Sequence, residues 1–183
     1  AASDVYKRQD WLRGMVTGGL PKVGRIGLVY FASEKGKILT EMTATRLGED
    51  EFLMMTGAGA YWHDRDLLNF NLPADGSVTV KDITSDLATL LVTGPKAPGL
   101  MADLAGEGMG HEAFPWLTWR QMESGGVKVT AIRVSFAGEA GWELHCDMGD
   151  ITALYDAVWA AGQPHNISNF GMLALDSMRL EKG

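Results

Sequence analysis

Arg25-Ile-Gly-Leu-Val-Tyr-Phe-Ala-Ser-Glu-Lys-Gly-Lys-Ile-Leu-Thr-Glu-Met-Thr-Ala-Thr-Arg-Leu47 is the stretch that decides the fold. Its first part, 25–32, alternates around Ile26, Leu28 and Tyr30, and 38–47 alternates again, at the period of a β-strand. Ser33-Glu-Lys-Gly36 between them is a hairpin-type turn. Gly48-Glu-Asp50 turns the chain once more, and the apolar run 51–56 reads as a third strand. Three strands joined by short turns predict an antiparallel meander.

Outward from the meander, the segment 58–71 carries Trp62, Leu67, Leu68 and Phe70 among polar residues, which predicts an amphipathic helix with Trp62 in the core. Pro73 to Gly76 ends it, and 78–83 reads as a short strand. Leu87 to Thr93 is a continuous apolar run, read as a buried strand broken by Gly94-Pro95. A helix is expected over 96–105, with Leu100, Met101 and Leu104 at helical spacing. Strands are expected at 116–122 and 127–136 around Gly125-Gly126, then helices at 151–161 and 171–182. The glycine cluster Gly106-Glu-Gly-Met-Gly110 has no strand before it and reads as a flexible connection. The pattern predicts an α+β fold of two packed lobes, each an antiparallel sheet backed by helices, covering 10–93 and 94–183.

Composition narrows the function. The chain has 183 residues, 46% hydrophobic and 21% charged, which is ordinary globular usage. A net charge of −7 with no Lys/Arg run argues against a nucleic-acid surface. No apolar run reaches the length of a membrane span. One cysteine, Cys146, cannot form an internal disulfide; it reads as a small buried hydrophobe and fits a reducing, cytoplasmic compartment. The four histidines lack metal-ligand spacing, so no metal is expected. No Gly-x-Gly-x-x-Gly follows a strand, so no dinucleotide fold is encoded.

A second stretch, Arg133-Val-Ser-Phe-Ala-Gly-Glu-Ala-Gly-Trp-Glu-Leu-His145, carries the chemistry. Arg133 to Phe136 reads as strand, Gly138 and Gly141 bracket a turn, and Trp142 to His145 reads as a second strand. Alternation puts Trp142 and Leu144 on one face, Glu143 and His145 on the other. A carboxylate on a rigid strand beside an aromatic wall suits a flat heterocycle with paired N–H donors, such as the 2-amino and N3–H edge of a pterin. The competing reading is a solvated hairpin carboxylate. Along Leu39 to Thr43, alternation sets Glu41 and Thr43 on one face with Leu39. A carboxylate there, partly walled off from water, would serve as a proton acceptor; a solvated strand residue is again the alternative.

Six segments in order resemble one family: Gly24-Arg-Ile-Gly-Leu28, Gly36-Lys-Ile-Leu-Thr-Glu-Met-Thr43, Asp82-Ile-Thr84, Leu91-Val-Thr-Gly-Pro-Lys96, the run from Phe136 to Glu143, and Phe170-Gly-Met-Leu-Ala-Leu-Asp-Ser-Met-Arg-Leu-Glu-Lys-Gly183. Together they resemble the folate-binding aminomethyltransferase family. It includes the T-protein of the glycine cleavage system and the C-terminal half of dimethylglycine and sarcosine dehydrogenases. Thr40-Glu-Met-Thr43, Tyr61-Trp-His-Asp64 and Leu180-Glu-Lys-Gly183 are phrased as in the dehydrogenases. The resemblance implies a tetrahydrofolate site and transfer of a one-carbon unit to give 5,10-methylenetetrahydrofolate. It implies FAD in a covalently linked upstream domain, and a third, barrel lobe that this chain lacks.

Site roles follow by position. Glu41 stands where the family usually has a catalytic aspartate. Glu143 would hold the pyrimidine edge and Thr43 the pterin rim, with Phe136, often Tyr in relatives, stacking on the ring. Glu139 is counted with the cofactor-binding residues, with shaping of the turn beside them as its alternative role. Leu175 stands where the glycine cleavage branch has an arginine for the folate tail, so no tail-binding role is carried over. Asp176 and Arg179 are expected to pair on the helix surface. The expected partners are a folate and a one-carbon donor, with no nucleic acid and no membrane. A stand-alone aminomethyltransferase of the glycine cleavage system and a non-catalytic folate-binding module are the alternative functions. Ala1-Ala-Ser-Asp-Val-Tyr-Lys-Arg-Gln9 resembles a translated sequencing adapter and is expected to be an artefactual or disordered tail. With a last helix that reads as still in progress at Gly183, the expectation is a fragment that is not fully active alone.

Overall fold

The computed structural model describes residues 2–106 and 108–182, with side-chain surroundings from Gln9 onward. Glu107, within the glycine cluster read as a flexible connection, lies outside them. The chain divides after Asp82 into two compact units.

The first unit begins with helix α1 (Ala2–Met15) and strand β1 (Val16–Thr17), then β2 (Ile26–Ala32), β3 (Ile38–Arg46) and β4 (Phe52–Met55), and ends with helix α2 (Tyr61–Phe70). The sheet order β1-β2-β3-β4 is fully antiparallel, as the meander requires. The register pairs Tyr30 with Glu41, and sets Thr43 between Leu28 and Met55. Val29, Phe31, Met42 and Ala44 face the core, where they meet Leu12 of α1, Val16 and Leu68 of α2. The sequence marked Ile26, Leu28 and Tyr30 as the β2 stripe, but Leu28 is exposed and Val29 and Phe31 are buried. β2 is apolar on both faces, so alternation alone does not say which one is covered.

Helix α1 takes in residues 2–9, and Leu12 and a Trp11 Nε1 hydrogen bond to the Asn71 carbonyl (2.6 Å) hold its later part. Two further expectations for this unit are corrected. The segment 78–83 forms no strand; Val78 is buried as irregular chain. Trp62 is 65% exposed, while Asp64 and Leu68, one turn apart, are the residues of α2 that are buried. Trp62 lies edge-on to Tyr61, with the Arg65 guanidinium 4.4 Å from its ring centre.

The second unit comprises β5 (Leu87–Thr93), helix α3 (Ala97–Ala105), β6 (Trp119–Ser124), β7 (Val127–Ile132), β8 (Gly141–Asp147), and helices α4 (Ile151–Gly162) and α5 (Met172–Lys182). Its sheet order is β5-β8-β7-β6. β5 pairs with β8 over its whole length, from Leu87↔Asp147 to Thr93↔Gly141. The sequence boundary near Gly94 placed this strand in the first lobe. Its partner lies some fifty residues away, and such pairing leaves no local trace in the sequence.

One face of this sheet is covered by α3 and α4. Trp142, Leu144 and Cys146 of β8 pack there with Val129, Ala131, Leu100, Met101, Leu154 and Val158. Trp142 and Leu144 are fully buried, each worth about 2–5 kcal/mol against alanine. Burial pushes the Cys146 thiol up, helped by the negative charges of Asp150 and Asp147. β7 ends at Ile132 rather than Phe136, so 133–140 is a loop. Among the described residues neither sheet closes into a barrel.

Candidate functional site

β8 runs between β5 and β7, which makes Glu143 a residue of an interior strand. Trp142 and Leu144 on either side of it are locked in the core, so Glu143 and His145 share the face opposite α3 and α4, as alternation predicts. Glu143 lies across from Leu91 and Ile132, and His145 from Thr89 and Thr130. The Glu143 side chain is 30% exposed and that of His145 is 5% exposed. His145 Nδ1 is 2.9 Å from the Thr89 hydroxyl. Its Nε2 lies 3.3 Å from Glu143 Oε2 but is not aligned for a hydrogen bond. The two groups are thus in polar contact without a formed hydrogen bond.

The loop before β8 is held by the end of α5. Glu139 Oε1 meets Lys182 Nζ at 2.7 Å, and the Arg179 guanidinium sits 4.7 Å from the centre of the Phe136 ring. Gly138 takes φ +75°, and a Cβ there would stand 2.9 Å from Lys182 Cγ. Glu139 is thereby tied to α5, and Phe136 is 47% exposed. Asp176 and Arg179 approach to 3.7 Å on the helix surface, as expected from their spacing. Leu175 is buried. The Arg133 guanidinium lies 5.0 Å from the Trp142 ring centre and donates to the Phe114 carbonyl; burial pushes its pKa down.

In the first unit Glu41 and Thr43 share the sheet face opposite the core, Thr43 half-buried and Glu41 exposed. The expected partial shielding of Glu41 from water is absent, because its cross-strand neighbour Tyr30 and the nearby Leu28 and Leu39 leave that face open. The carboxylate that is enclosed is Asp64. It is 1% exposed, accepts from the Thr56 hydroxyl, and meets His63 Nδ1 at 2.8 Å. Burial alone pushes its carboxyl up, but Thr56, His63 and the Thr40 hydroxyl together hold it below the ordinary carboxylate range.

The structure therefore groups Glu143 with His145 and Thr89, and Phe136 and Glu139 with α5, while Glu41 and Thr43 stand together in the other unit. Sequence reasoning gave no role to Thr89 or His145, and set the acid–base reading of Tyr61-Trp-His-Asp64 below that of a helix start. The His145 signal was present in its alternation with Glu143; Thr89 and Asp64 needed the strand register and the helix phase. A cavity of about 790 Å³ bounded by β5, α4 and the segment 165–178 takes in Thr89 but not Glu143, Phe136 or Glu139. Among the described residues no cluster of His, Cys, Asp and Glu could hold a metal, and no helix is long and apolar enough to cross a membrane.

Comparison with known proteins matches this architecture. The model of the GCVT N-terminal domain family fits residues 7–183. Human mitochondrial dimethylglycine dehydrogenase is 37% identical over 180 residues, covering 96% of this chain and 21% of that protein. Human mitochondrial sarcosine dehydrogenase is 28% identical over 194 residues, covering 98% of this chain and again 21% of its own length. This chain thus spans about a fifth of these relatives. The crystal structure of the glycine cleavage system aminomethyltransferase T from Bartonella henselae superimposes with a TM-score of 0.73 at 23% identity, over 94% of this chain and 45% of that one. Two antiparallel four-stranded sheets, a family model that fits nearly the whole chain and a close match to the aminomethyltransferase fold agree: the chain belongs to the GCVT N-terminal domain family.

Proposed function

We propose that this chain is the tetrahydrofolate-binding part of a longer flavin-dependent dehydrogenase of N-methylated amines of the dimethylglycine or sarcosine kind. In this reading it helps move a one-carbon unit onto the folate, giving 5,10-methylenetetrahydrofolate. The observation that carries the proposal is Glu143, a half-buried carboxylate on an interior strand, aimed away from the helices and flanked by a buried imidazole. It is acceptor-only, and a 2-amino-4-oxo pteridine presents two N–H donors side by side, which one carboxylate can accept together. The residues present therefore fit the group. Tetrahydrofolate supplies the nucleophilic nitrogens when bound.

The chain's own residues divide the remaining work. Glu143 accepts the paired donors. Phe136 offers an aromatic face backed by the Arg179 guanidinium. Glu139 holds the loop through Lys182. In the first unit Thr43 and Glu41 share the outward sheet face, and we assign the Thr43 hydroxyl to folate hydrogen bonding and the Glu41 carboxylate to the proton step. The dehydrogenase relatives are several times longer than this chain, and by analogy with them we assign FAD to a covalently linked domain outside it. The compartment we propose is the cytoplasm, on the single buried thiol; the human relatives carry mitochondrial names.

Titration of the chain with 5-formyltetrahydrofolate tests the anchor. Glu143→Gln keeps the shape, loses the charge and should weaken binding by about tenfold or more. Equal affinity in the two proteins removes Glu143 from the site. In the full-length enzyme, Glu41→Gln should slow methylene transfer and spare folate binding; equal losses in both would make Glu41 an anchor instead.

A further inference from the structure

The sheet holds a second polar device behind the proposed anchor. His145 is buried, and each ring nitrogen has one polar neighbour: the Thr89 hydroxyl at 2.9 Å on Nδ1, and Glu143 Oε2 at 3.3 Å on Nε2. A neutral imidazole has one N–H and one acceptor nitrogen, and the hydrogen bond at one nitrogen decides the state of the other. A Thr89 hydroxyl that donates to Nδ1 leaves the proton on Nε2, the nitrogen nearer the carboxylate. That N–H has no aligned acceptor as the side chains stand, and a buried donor without one is unfavourable. The terminal torsion of a glutamate is soft, so a modest turn of the half-exposed Glu143 carboxylate aligns Oε2 with Nε2.

We infer that His145, set by Thr89 across the β5–β8 pair, is the positioning residue that fixes the plane of the Glu143 carboxylate. This rests on Glu143 being the ligand anchor. The Nε2–H occupies one lone pair of Oε2 and leaves the outward lone pairs of both oxygens for a ligand. In its neutral form the imidazole donates this hydrogen bond without adding a countercharge to the Glu143 carboxylate. The pair then favours a flat ligand with two adjacent N–H donors and gives nothing to a ligand that presents an acceptor there.

Two measurements decide it. Nitrogen-15 NMR of the chain without ligand should find His145 in the Nε2–H tautomer at neutral pH, and Thr89→Val should shift that balance. The Nδ1–H tautomer in the parent overturns the relay. In titrations with 5-formyltetrahydrofolate, His145→Leu should bind about tenfold more weakly, the loss expected for one hydrogen bond to a charged group. His145→Gln, whose amide nitrogen can stand in for Nε2, should recover most of that loss. If His145 acts through Glu143, the double variant His145→Leu/Glu143→Gln loses no more than Glu143→Gln alone. Parent-like binding by His145→Leu, equal losses for Leu and Gln, or additive losses in the double variant each overturn the inference. A parent that binds no folate sinks the proposed function, and the NMR result still decides the relay.

Discussion

Asp64 offers the sharpest test of the first unit, because its environment is enclosed and its partners are few. The Thr56 and Thr40 hydroxyls converge on its carboxylate and His63 Nδ1 lies 2.8 Å away, with the side chain 2% exposed. Hydrogen bonds to a charged group contribute about 1.5–3 kcal/mol each, against about 1 for neutral ones. Asp64→Asn keeps the volume and one acceptor oxygen, but replaces charged bonds by neutral ones and turns an amide toward one of the donors. The expected loss is about 2–3 kcal/mol at pH 7, a large share of the stability of a small unit. The pH dependence has a definite sign. The folded carboxyl titrates below the unfolded one, so its contribution is complete above the unfolded value, about 4. It is lost as pH falls through the lower folded value, and parent and variant should converge in acid. Urea unfolding followed by tryptophan fluorescence and circular dichroism at pH 7 and at stepwise lower pH measures both. Asp66→Asn, on the same helix but half exposed, is the control and should change stability by less than about 0.5 kcal/mol. A parent-like Asp64→Asn at pH 7, or a deficit that widens on acidification, would refute the argument.

Two other outcomes follow from the second unit. Cys146 is buried with its thiol pushed up, so the folded state disfavours the thiolate. Stability should hold below the unfolded thiol value, about 8.5, and fall as pH rises through the folded one; a thiol reagent at pH 7.5 should label Cys146 only at the rate of opening, and fast labelling of folded protein contradicts its burial. Gly138→Ala places a Cβ at positive φ and 2.9 Å from Lys182 Cγ, a loss of about 1–2 kcal/mol. Hydrogen exchange should speed up in 133–140 and at the end of α5 while β8 stays protected; an unchanged loop would mean the Glu139–Lys182 contact does not hold it.

The elements legible in the sequence were those with local signals. The meander of β2, β3 and β4 was readable because its turns are short and glycine-marked. Helices α3 and α4 were readable from large apolar residues at helical spacing, Leu100, Met101 and Leu104 in one and Leu154 and Val158 in the other. The face of a strand was not readable where both faces are apolar, hence the exposed Leu28 in β2. The phase of α2 failed for a related reason. Trp62 outweighed Asp64 on any hydrophobicity scale, yet three hydrogen-bonding neighbours make the buried aspartate tolerable and free the tryptophan to lie outside under Arg65. The place of β5 was hidden because its partner comes from distant sequence.

For the candidate site, strand parity made the sheet face of each residue legible. On β8 the side chains either side of Glu143 are Trp142 and Leu144, both fully buried, and on β3 those either side of Glu41 and Thr43 include Met42 and Ala44, also buried. In each strand the anchored neighbours fix the backbone, so the intervening polar residues are presented from a scaffold that cannot rotate without unpacking a core. A slip of one residue in the β5–β8 register would turn Glu143 into the helix-covered face and expose Trp142. The same tryptophan that holds the second core thereby sets the direction of the carboxylate. A destabilising change at Trp142 should accordingly weaken folate binding even though its own side chain points the other way.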